Sequence, residues 1–462
     1  MPGFYVENFG CRATQADGAA IERQFEESGL SRASNPAQAA IVVFNTCTVT
    51  AAADQDARAA IRRVQRQNPE AEIVVTGCYA QRAPEQIASL PGVSQVIGNS
   101  HKHQLARIVL RHAAAEQQRA TSFVPVAHLA GNVEAGSEPS IFVSDIFAHT
   151  ELLAAPVFDA ANERTRPNLK IQDGCDNRCS FCVIPFVRGQ SRSLEVQRII
   201  AEINGLVEAG YREAVISGIN LGRWGRDLAN RQNRKPRFED LICAILEETG
   251  IEKLRISSVE PMDWSDDLIS LVASSPRIAK HAHVPMQSGS DAVLRRMHRK
   301  YRPGHYEEKI RKIRSAMPTA AIGADVMVGF PGESDPEFDA TVRMIETLPF
   351  TYLHVFTYSP RPGTPAALMA DQVPSQIARQ RNHVLREMAS VKKLSFMRSF
   401  LGKEIDAITL RQPSMAGQGF TECLTDNYLT LKLEGRHEHN RWLRARVKAV
   451  REGSLLGEAV HN

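Results

Sequence analysis

Between residue 167 and about residue 375 the sequence alternates short apolar runs with helical stretches six times, and no other feature limits the fold so strongly. The runs are NLKIQDG, REAVISG, KLRISSVE, HAHVPMQ, AIGADVMVG and YLHVFTY. Stretches such as LEVQRIIAEINGLVEAG and DPEFDATVRMIETL lie between them. Short β-branched runs separated by helical periodicity read as buried parallel strands, each followed by its crossover helix. Six such units are too many for a small doubly wound sheet. They fit an incomplete (β/α)6 barrel, which presents reactive groups at the C-terminal ends of its strands.

The flanking segments have different rhythms. Towards the N-terminus, IVVFNTC (41–47) and EIVVTGC (72–78) are strand-like, and YVENFGC (5–11) is a weaker candidate. Helical patterns over about 15–27 and 51–67 separate them, the second stopped by Asn68-Pro69. That order predicts an open parallel α/β sheet. Residues 113–165, with TSFVPVAHL and the turn-rich GNVEAGSEPS, read as an irregular connection carrying one or two added strands. A long helix is expected over about 374–399. Beyond it EIDAITL, ECLTDNYLTLKLEG and RWLRARVKAV alternate apolar with polar residues, the pattern of a small all-β barrel. The expected division is therefore 1–115, a linker over 116–165, the barrel over 166–395 and a β domain over 396–462. No run is long enough to span a membrane, and the start MPGFYVENFGC lacks a signal-peptide pattern, so a cytoplasmic protein is expected.

In a chain of this size, eight cysteines point to metal ligation or catalysis more than to disulfides. Cys175, Cys179 and Cys182 lie in GCDNRCSFC, directly after the first barrel strand. Three soft thiolates in one short loop suit a [4Fe–4S] cluster with one iron left open. The competing reading is a structural zinc knuckle, but no histidine or fourth cysteine lies close by in sequence. Cys11, Cys47 and Cys78 are 36 and 31 residues apart, yet each ends a predicted parallel strand. Parallel strands bring such ends to one sheet edge, where three thiols can hold a second cluster. The alternative is three buried core thiols. Cys243, in LICAILEE, and Cys423, in a C-terminal strand, read as structural.

With both cysteine sets in view, the chain resembles the radical S-adenosylmethionine methylthiotransferases over nearly its full length. The resemblance rests on FGCRATQAD, NTCTVT and GCYAQ, then on IQDGCDNRCSFCVIPFVRG, SGINLGRWG, SSVEP, HVPMQSGSDAVLRRM, DVMVGFPGE and FTYSPRPGTPA. The last segment, with LTDNYLTLKL, resembles a TRAM domain, a small RNA-binding β-barrel. The resemblance implies that Cys175, Cys179 and Cys182 hold the cluster that cleaves S-adenosylmethionine to a 5′-deoxyadenosyl radical. It implies that a second [4Fe–4S] cluster on Cys11, Cys47 and Cys78 carries the inserted sulfur, and that a second S-adenosylmethionine gives the methyl group. It also implies a tRNA anticodon stem-loop as substrate, a flavodoxin- or ferredoxin-like electron donor, and a sulfur source.

Within the family, IQDGC, SGINLGRWG and LRRMHRKY look most like the enzymes acting on threonylcarbamoyladenosine at tRNA position 37, at C2 of the base. The alternatives are isopentenyladenosine 37 or an aspartate of a ribosomal protein; an electron-transfer or redox-sensing protein is the non-enzymatic one. Where the family commonly has asparagine shortly after the first cysteine, this chain has Ala13-Thr14, which alters a local hydrogen bond there.

Five residues at later strand ends are candidates for holding S-adenosylmethionine: Gly218, Asn220, Glu260, Gln287 and Asp325. Glycine permits close backbone approach and a carboxylate accepts ribose hydrogen bonds; loop structure or capping is the plainer role. The net charge of +4 permits an RNA partner without requiring one. NRQNRKPR (230–237), RRMHRKYR (295–302), KIRKIR (309–314) and Arg441, Arg444, Arg446, Lys448 and Arg451 beside Trp442 are the candidate RNA surface, against the plainer reading of solvated faces. His281 and His283 share one strand face, where structural or substrate-lining roles are expected over metal binding.

Overall fold

A computed structural model describes residues 3–112, 139–149, 152, 165–228, 235–411 and 419–460. The chain forms two compact units. One comprises Met1–Ala155 with Gly174–Asp176 and Val183–Gln190; the other comprises Pro156–Asp173, Asn177–Cys182 and Ser191–Asn462.

The first unit is built on a parallel sheet. Its elements are β1 (Gly3–Asn8), α1 (Arg12–Glu27), β2 (Ser31–Arg32), β3 (Ile41–Thr46), α2 (Ala51–Gln67), β4 (Glu72–Gly77), α3 (Cys78–Arg82), α4 (Pro84–Ala88), β5 (Val93–Gly98), α5 (105–112) and β6 (Ser140–Phe142). The strand order is β2-β1-β3-β4-β5-β6. β3, IVVFNT, is buried on both faces, which is why its apolar run is unbroken where a half-exposed strand would alternate. Thr50 caps α2 by accepting from the Ala53 N–H at 3.2 Å. Two cores cover the two sheet faces, one around Phe44, Ile61 and Val75, the other around Phe4, Phe25 and Val74. The pairing sets Asn8 level with Asn45, and Asn45 level with Thr76, so β1, β3 and β4 end together.

β6 lies within the stretch expected to be an irregular connection, and it pairs with β5. TSFVPVAHL lies outside the described residues. The short helix α6 (Ile184–Arg188) also belongs to this unit, packed through Val183 and Val187 against Cys78.

The second unit contains the six expected strands. They are β7 (Asn168–Asp173), β9 (Glu213–Gly218), β10 (Lys253–Ile256), β11 (His281–His283), β12 (Ala321–Val328) and β13 (Tyr352–Thr357), with β8 (Arg192–Ser193) added antiparallel to β7. β7, β9 and β10 pair in parallel, as do β11, β12 and β13. Parallel bridges at Leu254–Ile278 and Ser258–His283 join the two groups, so the strands follow chain order as in an incomplete barrel. The connecting helices are α7 (Val196–Glu208), α8 (Phe238–Glu248), α9 (Asp266–Ser274), α10 (Asp291–Arg296), α11 (Pro303–Ala316) and α12 (Asp335–Thr347), and α13 (Ser375–Arg398) follows the last strand.

A closed barrel ends the chain, with strands β14 (Glu404–Thr409), β15 (Phe420–Thr425), β16 (Thr430–Glu434), β17 (Trp442–Arg451) and β18 (Ser454–Ala459) in the order β14-β15-β16-β18-β17. Alternate residues, among them Ile405, Ala407, Leu431, Leu433 and Val447, fill its interior with the thiol of Cys423. ECLTDNYLTLKLEG is two strands, parted by a turn in which Tyr428 takes a left-handed φ of 68°. Among the described residues, no helix is long and apolar enough to cross a membrane.

Candidate active site

β7 is buried throughout, and the chain leaves it through Gly174 at φ 70°. A side chain there would collide with the carbonyl of Gln190, so glycine is what lets the thiol loop start where it does. The Cys175 N–H donates to the Gly189 carbonyl at 3.0 Å, and the Cys182 N–H closes a turn on the Cys179 carbonyl at 3.1 Å. Ser180 pins the loop to the end of α10: its hydroxyl donates to the Arg296 carbonyl at 2.7 Å and its N–H to the Met297 carbonyl at 3.1 Å. Phe181 meets Phe330 edge-on, with ring centres 6.5 Å apart, which is a packing role. Cys175, Cys179 and Cys182 are half-buried and free of disulfides.

A buried arginine reaches this loop. The Arg299 guanidinium donates from Nη1 to the Cys179 Sγ at 3.3 Å and from Nη2 to Glu260 Oε2, and it lies 5.0 Å from the Tyr301 ring centre. Burial pushes the Glu260 carboxyl up from its usual range, and the Arg299 charge opposes that. Burial also works against the Arg299 charge, but Tyr301, Glu260 and Cys179 outweigh it and hold the guanidinium firmly protonated. Asn177, Cys179, Arg223, Glu260, Arg299 and Tyr301 line a narrow cleft.

The five strand-end candidates separate. Glu260 alone among them lines that cleft. Gly218 and Asn220 gather about Gln172: the Asn220 N–H donates to its Oε1 at 2.7 Å, and a side chain at Gly218 would press on it at 2.9 Å. Gln287 takes a left-handed φ of 62° and donates its N–H to the Asp325 carbonyl at 2.8 Å. Its Oε1 is buried with no hydrogen-bond partner among the described residues, as a ligand-facing amide would be. The Asp325 carboxylate lies 3.3 Å from His283 Nε2. His281 hydrogen-bonds the Tyr352 hydroxyl at 2.6 Å and stacks on that ring, so both histidines have structural partners. Cys243 is half-buried and Cys423 fully buried, and neither joins a thiol group.

The first unit carries the other three thiols at level strand ends. Cys47 and Cys78 are buried and Cys11 is exposed. Gly10 (φ 104°) and Gly77 (φ 98°) make the close approach: a side chain at Gly10 would lie 2.6 Å from Cys47 Cβ, and one at Gly77 2.6 Å from the Thr46 nitrogen. Burial, followed by the charge of Cys78, pushes the Cys47 thiol up to about 12, with a smaller contribution from Cys11. Thr14, at the position of sequence departure, puts its hydroxyl 3.6 Å from Cys11 Sγ, and Asn99 Nδ2 lies 3.6 Å from Cys78 Sγ. Behind them is a buried network that the sequence did not suggest. Asp17 accepts from Arg188 at 2.9 Å and Lys102 at 3.1 Å, and Lys102 also reaches Asn45 Oδ1 at 3.2 Å. Two cations share one carboxylate, and the Arg188 charge favours the Cys47 thiolate.

Both sets fit iron–sulfur chemistry. Each supplies three soft ligands, with a hydrogen-bond donor at a sulfur and a positive charge nearby to offset a thiolate-bound, anionic cluster. Among the described residues, no three His, Cys, Asp or Glu side chains gather as around a single metal ion.

The basic runs are mostly neutralised within the chain. Arg296 pairs with Glu337, Arg295 and Arg302 with Asp291, and Lys309 and Lys312 with Asp266. Arg441, Arg444, Arg446 and Lys448 pair with neighbouring carboxylates on the closed barrel. Of 230–237 only 235–237 lie in the described residues. By contrast α13 carries one acidic residue, Glu387, and its exposed Arg379, Arg386 and Lys393 stand seven residues apart on one face.

Residues 3–98 match the family described as "Uncharacterized protein family UPF0004", and residues 169–345 match the "Radical SAM superfamily". The chain is 33% identical to "Threonylcarbamoyladenosine tRNA methylthiotransferase MtaB" of Aquifex aeolicus (strain VF5), over 96% of this chain and 99% of that protein. It is 30% identical to "tRNA-2-methylthio-N(6)-dimethylallyladenosine synthase" of Endomicrobium trichonymphae, over 99% of this chain and 100% of that one. In fold it is similar to the radical S-adenosylmethionine methyltransferase TsrM of Kitasatospora setae, with a TM-score of 0.54 at 15% identity, covering 82% of this chain and 78% of that one.

Proposed function

The chain belongs to the radical S-adenosylmethionine methylthiotransferases, and we propose that it places a methylthio group on C2 of N6-threonylcarbamoyladenosine at position 37 of tRNA. The observation that carries this reading is the pair of three-thiol sites, each at the ends of parallel strands. The full-length similarity to the Aquifex protein supports the choice of side group.

In this reading Cys175, Cys179 and Cys182 hold the [4Fe–4S] cluster that the radical superfamily uses with S-adenosylmethionine. Bound there, the cluster supplies the electron that cleaves S-adenosylmethionine to a 5′-deoxyadenosyl radical. The chain does the positioning: Gly174 and Ser180 set the loop, Phe181 packs it, and the Arg299–Glu260 pair fixes one wall of the cleft. Gln287, with its free amide oxygen, is the best remaining candidate to hold S-adenosylmethionine, followed by Asp325; Gly218 and Asn220 act through Gln172. Cys11, Cys47 and Cys78 hold a second cluster that carries the sulfur to be inserted. A low-potential flavodoxin- or ferredoxin-type protein supplies electrons and a separate source supplies sulfur.

RNA binds across the closed C-terminal barrel and the cationic face of α13. Exposed ion pairs such as Arg444–Asp406 contribute only about 0–1 kcal/mol, so phosphate displaces the carboxylates at little cost. Position 37 must leave the anticodon loop stack to reach a shielded radical.

The test is to reconstitute the protein anaerobically, reduce it, and incubate it with S-adenosylmethionine and tRNA lacking the methylthio group. Mass spectrometry of the digested nucleosides should show the methylthio increment on threonylcarbamoyladenosine. An increment on dimethylallyladenosine would move the substrate to the other named relative. 5′-Deoxyadenosine without modified tRNA would overturn the substrate.

A further inference from the structure

We infer that Arg299 sets the reduction potential of the barrel cluster by hydrogen-bonding the ligand Cys179, and that Glu260 opposes it. The inference rests on the placement of a cluster on Cys175, Cys179 and Cys182. Arg299 stands in RRMHRKYR, where sequence alone reads it as one more surface cation. Its side chain is only 6% exposed. Its fork is shared between a sulfur and a carboxylate, with Nη1 3.3 Å from Cys179 Sγ and Nη2 on Glu260.

The geometry is held from several sides. Tyr301 lies under the guanidinium, and its hydroxyl donates to the carbonyls of Met286 at 2.6 Å and Pro285 at 3.1 Å. The sulfur is held by the Ser180 anchors on Arg296 and Met297. The nearby Arg223 is engaged by Asp263 at 3.4 Å.

Reducing a cluster adds negative charge that its thiolates share. A hydrogen bond and a positive charge at a ligand sulfur stabilise the reduced state and raise the potential. Both count for more in a buried site than in water. The Glu260 carboxylate, on the far side of the guanidinium, works the other way by neutralising it. The pair therefore holds the potential between two limits. A purely structural clamp between the loop and Glu260 would have no such signed effect.

Potentials should be measured by EPR-monitored redox titration without S-adenosylmethionine, in the full-length chain with Cys11, Cys47 and Cys78 replaced by alanine, so that one cluster gives the signal. Arg299→Gln should lower the ratio of reduced to oxidised cluster at a fixed ambient potential tenfold or more, equivalent to about 59 mV for a one-electron couple. Glu260→Gln should shift it the opposite way by less. Arg299→Lys, which keeps the charge without the fork, should fall between Arg299→Gln and the parent. The double variant Arg299→Gln/Glu260→Gln keeps the shape of the pair without charge, and should lie closer to the parent than Arg299→Gln does. Equal potentials, or shifts of the same sign for Arg299→Gln and Glu260→Gln, would overturn the inference while leaving the cluster assignment intact. No reducible cluster in the parent would overturn both.

Discussion

The two three-thiol sites solve one problem in opposite ways. The barrel site is local: its thiols lie within eight consecutive residues, half-buried, with a guanidinium on one sulfur. The N-terminal site is assembled by sheet register from three strand ends, with two of its thiols buried and its cations held back on Asp17. A local loop depends on its anchors at Gly174 and Ser180. A register-built site depends on every strand that sets the level, so damage in the sheet should cost the N-terminal site and spare the barrel site. In the proposed reading, a half-buried, anchored loop suits a cluster that must meet an electron donor and S-adenosylmethionine. A buried, glycine-framed edge suits one that must shelter a reactive sulfur.

The largest expected effect tests the division of labour. Replacing Cys175, Cys179 and Cys182 with alanine should abolish 5′-deoxyadenosine formation while about half of the cluster iron remains, as iron analysis and chromatography would show. Iron falling to nothing would mean that the sites are not independent. Asp17→Asn should come next. It leaves Arg188 and Lys102 as poorly matched buried cations, a change that costs roughly 3–5 kcal/mol in chemical denaturation. Iron should be lost selectively from the N-terminal site.

Gly77→Ala should be milder, at roughly 1–3 kcal/mol from left-handed strain plus the clash with Thr46. The comparison sharpens if this variant loses methylthio transfer and keeps S-adenosylmethionine cleavage, and it breaks if cleavage falls in step. The smallest effect is on RNA. Arg379→Gln/Arg386→Gln/Lys393→Gln should leave both clusters intact and lower the magnitude of the log–log salt slope of RNA affinity by about 0.7–0.9 for each phosphate no longer neutralised. An unchanged slope in a gel-shift series would remove α13 from the RNA surface.

The six barrel strands were legible because short apolar runs alternate there with helical stretches, and β3 and β4 because their apolar runs are continuous; β1, GFYVEN, was the weaker signal because its polar and apolar residues are mixed. The two-residue strands β2 and β8 carry no periodic signal at all, whereas β6 lies where an added strand was expected. β18 was hidden by its interior Gly457, which packs where a side chain would lie 2.6 Å from the Arg446 carbonyl. The cysteines announced themselves by type and position. The charges around them did not, because a run such as RRMHRKYR looks the same whether it faces water or, like Arg299, a sulfur. KIRKIR shows the same limit: Glu307 is visible four residues before its partner Arg311, but Asp266, which takes both lysines, is more than forty residues away in sequence.

The central claim is that the two thiol sets hold two clusters with different tasks. The most direct test is the full-length chain with Cys11, Cys47 and Cys78 replaced by alanine, reconstituted, reduced and given S-adenosylmethionine and tRNA. About four irons per chain are expected, the content of one cubane, with 5′-deoxyadenosine formed and no methylthio nucleoside by mass spectrometry. Methylthio nucleoside from that variant, or iron equal to that of the unaltered chain, would contradict that claim.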